Sequence, residues 1–186
     1  MSIRVGKPAP ELTVETYVRG ESEPRAISLA GLRGKWVVLF FYPRDFTFVC
    51  PTELRAFARL QRDFARERAV VLGASTDSYY VHQAWYESDE RLREVAYPVI
   101  ADPGHQLCAA YGVLREDGAA LRSTFILDPE GILRHALVND LEVGRNVEET
   151  LRTLRALKTG ELCPVGWQPG QATLSNRADE VAQAAD

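Results

Sequence analysis

The chain has 186 residues, 46% of them hydrophobic and 26% charged, enough apolar material for one domain with a sizeable core and too much for a disordered chain. Its 22 basic and 26 acidic residues leave a net charge of −4, which argues against broad electrostatic binding to nucleic acid or to an anionic membrane. The longest apolar run, Trp36 to Tyr42, falls far short of a bilayer span, and Met1 to Pro10 (MSIRVGKPAP) lacks the apolar stretch of a secretory signal, so a soluble, cytoplasmic, enzyme-sized domain is expected.

Strand and helix signals alternate along the chain. Leu12 to Val18 (LTVETYV) has the period-two pattern of an edge or half-buried strand. Trp36 to Tyr42 (WVVLFFY) is a continuous β-branched and aromatic run, as in a central strand buried on both faces. Thr52 to Arg68 carries Leu54, Phe57, Ala58, Phe64 and Ala65 on one helical face, broken only by Gln61. Ala69 to Ser75 (AVVLGAS) is a second buried strand, and Ser78 to Leu92 a helix with Asp77 or Ser78 as its N-cap. Pro103 to Tyr111 follows Asp102, a cap-then-proline helix start, and stops before Gly112. Thr124 to Leu127 and Ile132 to Val138 flank Asp128-Pro129-Glu130-Gly131, which reads as a hairpin turn. Asn146 to Lys158 has Val147, Leu151, Leu154 and Leu157 on one side, with Glu148 and Glu149 in its first turn and Lys158 in its last, matching the helix dipole.

This order describes an α/β sandwich with a mixed sheet flanked by helices. After Gly160 the pattern changes: Cys163-Pro164, Gly166, Pro169 and Gly170 mark a loop-like arm, and Leu174 to Asp186 is polar and alanine-rich. The expected division is a domain over residues 1–160 and a C-terminal arm over 161–186.

Cys50, Cys108 and Cys163 are 58 and 55 residues apart, so no C-x-x-C pair exists, and the odd count disfavours a purely structural disulfide framework. His82, His105 and His135 fall into no metal-ligand spacing. No metal site is expected from these spacings.

Cys50 stands out by its place. Pro51 suits the first helical position, so Cys50 falls at or just before a helix start. Free backbone N–H groups and the positive dipole end there favour thiolate over thiol. Thr47, one loop turn earlier, offers a hydroxyl that can both donate and accept. A buried, inert cysteine is the commoner fate of a lone Cys, and position alone leaves the two readings level.

Pro43-x-x-x-Thr47-x-x-Cys50 resembles the active-site signature of the peroxiredoxins, thioredoxin-fold peroxidases that work through a cysteine thiolate. The string Phe46-x-Phe48-Val49-Cys50-Pro51-Thr52-Glu53 is similar to that of the typical two-cysteine group, which includes the alkyl hydroperoxide reductase C components and thioredoxin peroxidases. Asp77-Ser78 with His82 and Trp85, Tyr111-Gly112-Val113, Arg122-x-Thr124-Phe125-Ile126, Val138-Asn139-Asp140 and Val143-Gly144-Arg145 recur in that family in the same order. Gly160-Glu161-Leu162-Cys163-Pro164 with Trp167 resembles its segment bearing a second, resolving cysteine.

The resemblance implies a thioredoxin-like fold and a cofactor-free thiol peroxidase acting on hydrogen peroxide and organic hydroperoxides. Cys50 is then the attacking thiolate and becomes a sulfenic acid. Cys163 condenses with it across a dimer interface, and an external thiol system, thioredoxin or a flavoprotein disulfide reductase, recycles the disulfide. Arg122 holds thiolate and peroxide oxygens with its fixed fork of donors, and its loss is expected to slow the chemistry while hardly moving the melting temperature. Thr47 accepts from the attacked hydroperoxide, and Pro43 shields the thiolate. Glu53 and Arg145 resemble a supporting pair, a surface ion pair being the plainer alternative. His82 and Trp85 read as packing and hydrogen-bonding residues, and Cys108 as a small core residue. The family further implies a homodimer assembling into a decameric ring. A second class of function is a ring-forming holdase chaperone or redox-signalling adaptor of the same fold; a thioredoxin-like dithiol oxidoreductase is disfavoured by the missing C-x-x-C.

Overall fold

The computed structural model describes residues 3–174; beyond Leu174, the polar tail expected from sequence lies outside the described residues. The chain divides into two compact units, Met1–Val147 and Glu148–Asp186.

In the first unit seven strands make one mixed sheet: β1 Thr13–Tyr17, β2 Arg25–Ser28, β3 Trp36–Phe41, β4 Ala69–Ser75, β5 Val99–Ala101, β6 Arg122–Leu127 and β7 Leu133–Asn139, in the spatial order β2-β1-β5-β4-β3-β6-β7. The β3–β4 and β4–β5 pairs are parallel and the others antiparallel. β3 is interior, as its apolar run requires, and its alternation sorts two cores. Val37, Leu39 and Phe41 join Leu107, Cys108 and Tyr111 on one face of the sheet. On the other face Phe40 stacks on Phe57, with ring centroids 3.9 Å apart, and Tyr42 meets His82 and Trp85. Helices α1 (Cys50–Arg66) and α2 (Tyr79–Ser88) therefore cover one face and α3 (Gln106–Ala110) the other.

Several expected boundaries move for local reasons. β1 is paired on both sides, so it is a half-buried interior strand and not an edge. Ser78 caps α2 by accepting the Val81 N–H, and the predicted helix to Leu92 breaks at Asp89, whose side chain caps a short 3-10 turn over Glu90–Leu92. α3 starts only at Gln106, because Pro103-Gly104 makes a turn and His105 has φ +59°. Asp102 still caps it from a distance: its carboxylate accepts the N–H groups of Leu107 (3.1 Å) and Cys108 (2.8 Å). The β6–β7 turn forms as expected, with Asp128 Oδ1 accepting the Glu130 and Ile132 N–H groups and Gly131 at φ +76°.

The second unit holds most of α4 (Val147–Thr159), where Glu149 and Arg152 pair at 2.6 Å. Its arm is tied by its own bonds: Arg152 donates to the Trp167 carbonyl (2.8 Å), Trp167 Nε1 to the Gln171 carbonyl (3.0 Å), and the Leu174 N–H to the Leu162 carbonyl (2.8 Å). No helix among the described residues is long and apolar enough to cross a membrane.

Candidate active site

The loop from β3 into α1 carries Pro43, Thr47 and Cys50. Cys50 is the first residue of α1, just ahead of Pro51, and is fully buried. The helix starts two residues before the predicted Thr52, so the sulfur sits inside the first turn, where backbone N–H groups lack helical partners. Antiparallel pairing of Phe41 with Ser123 brings the start of β6 to the end of β3, and so Arg122 to this loop. Arg122 Nη1 lies 3.4 Å from Cys50 Sγ and donates to Glu53 Oε2 at 2.7 Å, while its Nε donates to the Leu141 carbonyl at 2.6 Å.

Glu53, one turn into α1, is the hub. Besides Arg122 it accepts the Arg145 N–H (2.9 Å), Arg145 Nε (2.8 Å) and Arg145 Nη2 (2.8 Å). Arg145 Nη1 also donates to the Phe41 and Ser123 carbonyls, at 2.6 and 2.7 Å, so one guanidinium joins the ends of β3 and β6 to the start of α1. Arg145 lies over the Phe40 ring, 5.2 Å from its centroid. The Glu53 and Arg145 side chains are 2% and 0% exposed, which rules out the surface ion pair. This is a buried cluster of two guanidiniums and one carboxylate beside a sulfur, and the excess positive charge is what a thiolate would balance.

Burial disfavours a charged Glu53, yet the Arg145 hydrogen bonds and charge, with Arg122 behind them, hold its carboxyl below the ordinary value of 4.5. A folded-state pKa below the unfolded one stabilises the fold above the unfolded value, and that stabilisation disappears as pH falls through the depressed value. Glu53→Gln is therefore expected to cost about 3–5 kcal/mol near neutrality, the scale of breaking a buried ion pair. Thermal melts from roughly pH 5 downward should show a steep loss of stability in the wild type and a flatter one in the variant.

Pro43 is buried and Thr47 half-buried. The Thr47 hydroxyl donates to the Arg44 carbonyl at 3.0 Å; with its proton committed, it has only lone pairs to offer. Between them Phe46 adopts φ +56°. Beneath the loop Tyr42 OH and His82 Nδ1 each reach the Asp45 carboxylate at 2.7 Å. His82 is thus a packing and hydrogen-bonding residue, as expected. Its contacts with Asp45 and Tyr42, and the link of Tyr42 to Tyr86 one turn further along α2, were not anticipated, because a polar or hydroxylated side chain is the only local signal that any of them gives.

The other cysteines differ. Cys108 is in the core, and burial, then the charge and hydrogen bond of Asp102, push its thiol well up, so it stays protonated. Cys163 belongs to the second unit and is half-buried, its sulfur 3.5 Å from Thr159 Oγ1 and 3.8 Å from the Ala156 carbonyl. Among the described residues no group of three or more His, Cys, Asp or Glu side chains is placed to hold a metal ion.

The family model described as "AhpC/TSA family" matches residues 5–136. The chain belongs to this family and is a peroxiredoxin. A second model, described as the C-terminal domain of 1-Cys peroxiredoxin, matches residues 156–185. This peroxiredoxin is 49% identical to peroxiredoxin prdx-2 of Caenorhabditis elegans, with 91% of this chain and 88% of that protein covered. It is 45% identical to peroxiredoxin tpx1 of Schizosaccharomyces pombe, with 97% of each covered. The reduced 2-Cys peroxiredoxin of Plasmodium vivax superposes with a TM-score of 0.86 at 36% identity, over 90% of this chain and 91% of that one. AhpC of Enterococcus faecalis gives 0.82 at 36%, over 88% and 100%. The fold is the thioredoxin-like peroxiredoxin fold, and the peroxiredoxin's activity is that of a thiol-dependent peroxidase.

Proposed function

We propose that Cys50 is the sulfur that reduces the peroxide, with Arg122, Thr47 and Pro43 around it and Glu53 and Arg145 supporting them. The observation that carries this reading is the 3.4 Å contact of Arg122 Nη1 with Cys50 Sγ, made by a guanidinium that Glu53 and the Leu141 carbonyl hold in place. The thiolate attacks one peroxide oxygen: the S–O bond forms as the O–O bond breaks, and the second oxygen leaves as hydroxide or alkoxide and takes up a proton. Negative charge moves outward along S···O···O, toward donors that are already oriented and need no reorganisation. Thr47, with only lone pairs to present, accepts the hydroperoxide O–H. Hydrogen peroxide and small organic hydroperoxides fit this chemistry equally.

Cys163 then attacks the Cys50 sulfenic acid, releasing water and leaving a disulfide, which an external dithiol such as thioredoxin or a flavoprotein disulfide reductase returns to two thiols. We read this bond as intersubunit, within a homodimer that builds a decameric ring in the cytoplasm. Phe46 and Phe48 beside the catalytic loop, 61% and 90% exposed, support an assembly contact there. The arm lies in the segment that resembles the C-terminal domain of one-cysteine enzymes, but Cys163 gives it the second thiol that a two-cysteine cycle needs.

Non-reducing electrophoresis after one equivalent of peroxide tests the cycle. Wild type should run as a covalent dimer, and Cys163→Ser as a monomer that completes one turnover and stops. An oxidised wild type that stays monomeric contradicts the intersubunit bond.

A further inference from the structure

Asp45 lies in the middle of the catalytic loop, between Pro43 and Thr47, and is tied down at three points. Its carboxylate accepts Tyr42 OH on Oδ1 and meets His82 Nδ1 on Oδ2, both at 2.7 Å. Its backbone N–H donates to Asp77 Oδ2 at 2.9 Å, and Asp77 is fixed in turn by Ser75 Oγ at 2.7 Å. The second nitrogen of the imidazole, Nε2, points at the Ile100 carbonyl of β5 at 3.1 Å. The side chains of Asp45 and His82 are 0% exposed, and Tyr42 and Tyr86, which touch at 3.1 Å between their hydroxyls, are fully buried.

We propose that Asp45 and His82 are positioning residues for the peroxide reaction, His82 Nδ1 fixing the Asp45 carboxylate and with it the catalytic loop. This rests on the reading of Cys50 as the reacting sulfur.

Both imidazole nitrogens face acceptors. The Asp45–His82 pair must therefore carry two protons: either one on each nitrogen, or one on Nε2 and one on the carboxyl. In both arrangements the pair has no net charge, which is what a site closed to water tolerates. Burial raises the Asp45 carboxyl above its ordinary value, while the hydrogen bonds to His82 and Tyr42 oppose that rise. The geometry matters because the next residue, Phe46, sits at φ +56°, a conformation that a bulky side chain keeps only when its surroundings impose it. The three anchors on Asp45 impose it. They set the path of the chain into Thr47, whose hydroxyl is committed to the Arg44 carbonyl next to Asp45. A shift of a few tenths of an ångström at Asp45 moves the acceptor offered to peroxide relative to the sulfur, and effective concentration falls steeply with such misplacement.

Asn and Gln at position 82 separate this role from simple packing, because the Asn amide can take the place of Nδ1 and the Gln amide that of Nε2. Both variants shrink a buried side chain and each loses one of its two partners. Stopped-flow measurement of sulfenic acid formation on fully reduced protein, beside thermal melts, is the test. His82→Gln, which leaves Asp45 unbraced, is expected to slow the reaction with hydrogen peroxide by about tenfold or more, while His82→Asn recovers most of that loss at a similar melting temperature. Equal rates in the two variants, or rates that simply follow stability, overturn the proposal. If the Gln variant does not fold, Tyr42→Phe removes the other side-chain bond of Asp45 at nearly unchanged volume; a several-fold slower reaction is expected, and a wild-type rate overturns it. Cys50→Ser is run alongside: reactivity remaining there overturns the assignment of Cys50, whereas a silent Cys50→Ser with equal Asn and Gln rates overturns the role of His82 alone.

Discussion

Serine at position 50 is expected to leave no measurable peroxide turnover, although the fold stays intact. The substitution keeps the size of the side chain and its place at the start of α1, but a hydroxyl stays protonated where a thiol can ionise. Neither remaining cysteine can substitute for it. Cys108 is buried in the core, and Asp102 and burial hold it as a thiol. Cys163 has two oxygens at its sulfur, Thr159 Oγ1 at 3.5 Å and the Ala156 carbonyl at 3.8 Å. Replacing Cys108 by alanine should accordingly leave the rate near that of wild type. Comparable losses in the Cys50 and Cys108 variants, measured as peroxide consumed with dithiothreitol as reductant, would remove Cys50 from its role.

Methionine at position 122 is expected to lower the second-order rate constant with hydrogen peroxide on the order of 10²-fold, the scale of losing one preorganised donor to a developing oxyanion. The residue also has a structural part that its sequence position did not suggest. A strand-end arginine usually faces water, whereas Arg122 is 4% exposed and shares Glu53 with Arg145. Removing it leaves the Leu141 carbonyl without that donor and Glu53 with Arg145 alone, so stability falls together with rate, contrary to the expectation of an unmoved melting temperature. Arg122→Lys separates the two effects. It keeps a positive charge for Glu53 but loses the planar fork, so stability is largely restored while the rate stays low. A methionine variant that reacts at the wild-type rate would show that the guanidinium contact with Cys50 does nothing for the chemistry.

What could be read without coordinates depended on the range of the interactions. Long apolar runs identified β3 and β4, and the caps and periodicity of α1, α2 and α4 placed each within a few residues. β2 and β5 escaped: Arg25–Ser28 is mostly exposed and Val99–Ala101 is only three residues long, so neither shows a period of its own. Both are strands because neighbours in the sheet pair with them. α3 began late because Gly104 and a left-handed His105 follow the proline, while Asp102 reached past them to cap it. At the site, the resemblance to peroxiredoxins pointed to Cys50, Glu53, Arg122 and Arg145 one by one. That a single carboxylate binds both arginines is a tertiary matter: the β3–β6 register brings Arg122, 69 positions from Glu53, to the first turn of α1, and the segment after β7 brings Arg145 from 92 positions away. The Asp45–His82 contact spans 37 positions and two elements. Nothing in the local pattern of either residue points to the other.

The most direct measurement traps the oxidised sulfur itself. The fully reduced protein is given one equivalent of hydrogen peroxide in the presence of dimedone, which captures sulfenic acids, and the adduct is located by peptide mass spectrometry. With Cys163→Ser as background, so that no second thiol competes, the adduct should form on Cys50 in near-stoichiometric yield and be absent from Cys108. An adduct mainly on Cys108, or none on Cys50 while peroxide is consumed, would contradict the assignment of Cys50 as the sulfur that the buried Glu53, Arg122 and Arg145 cluster serves.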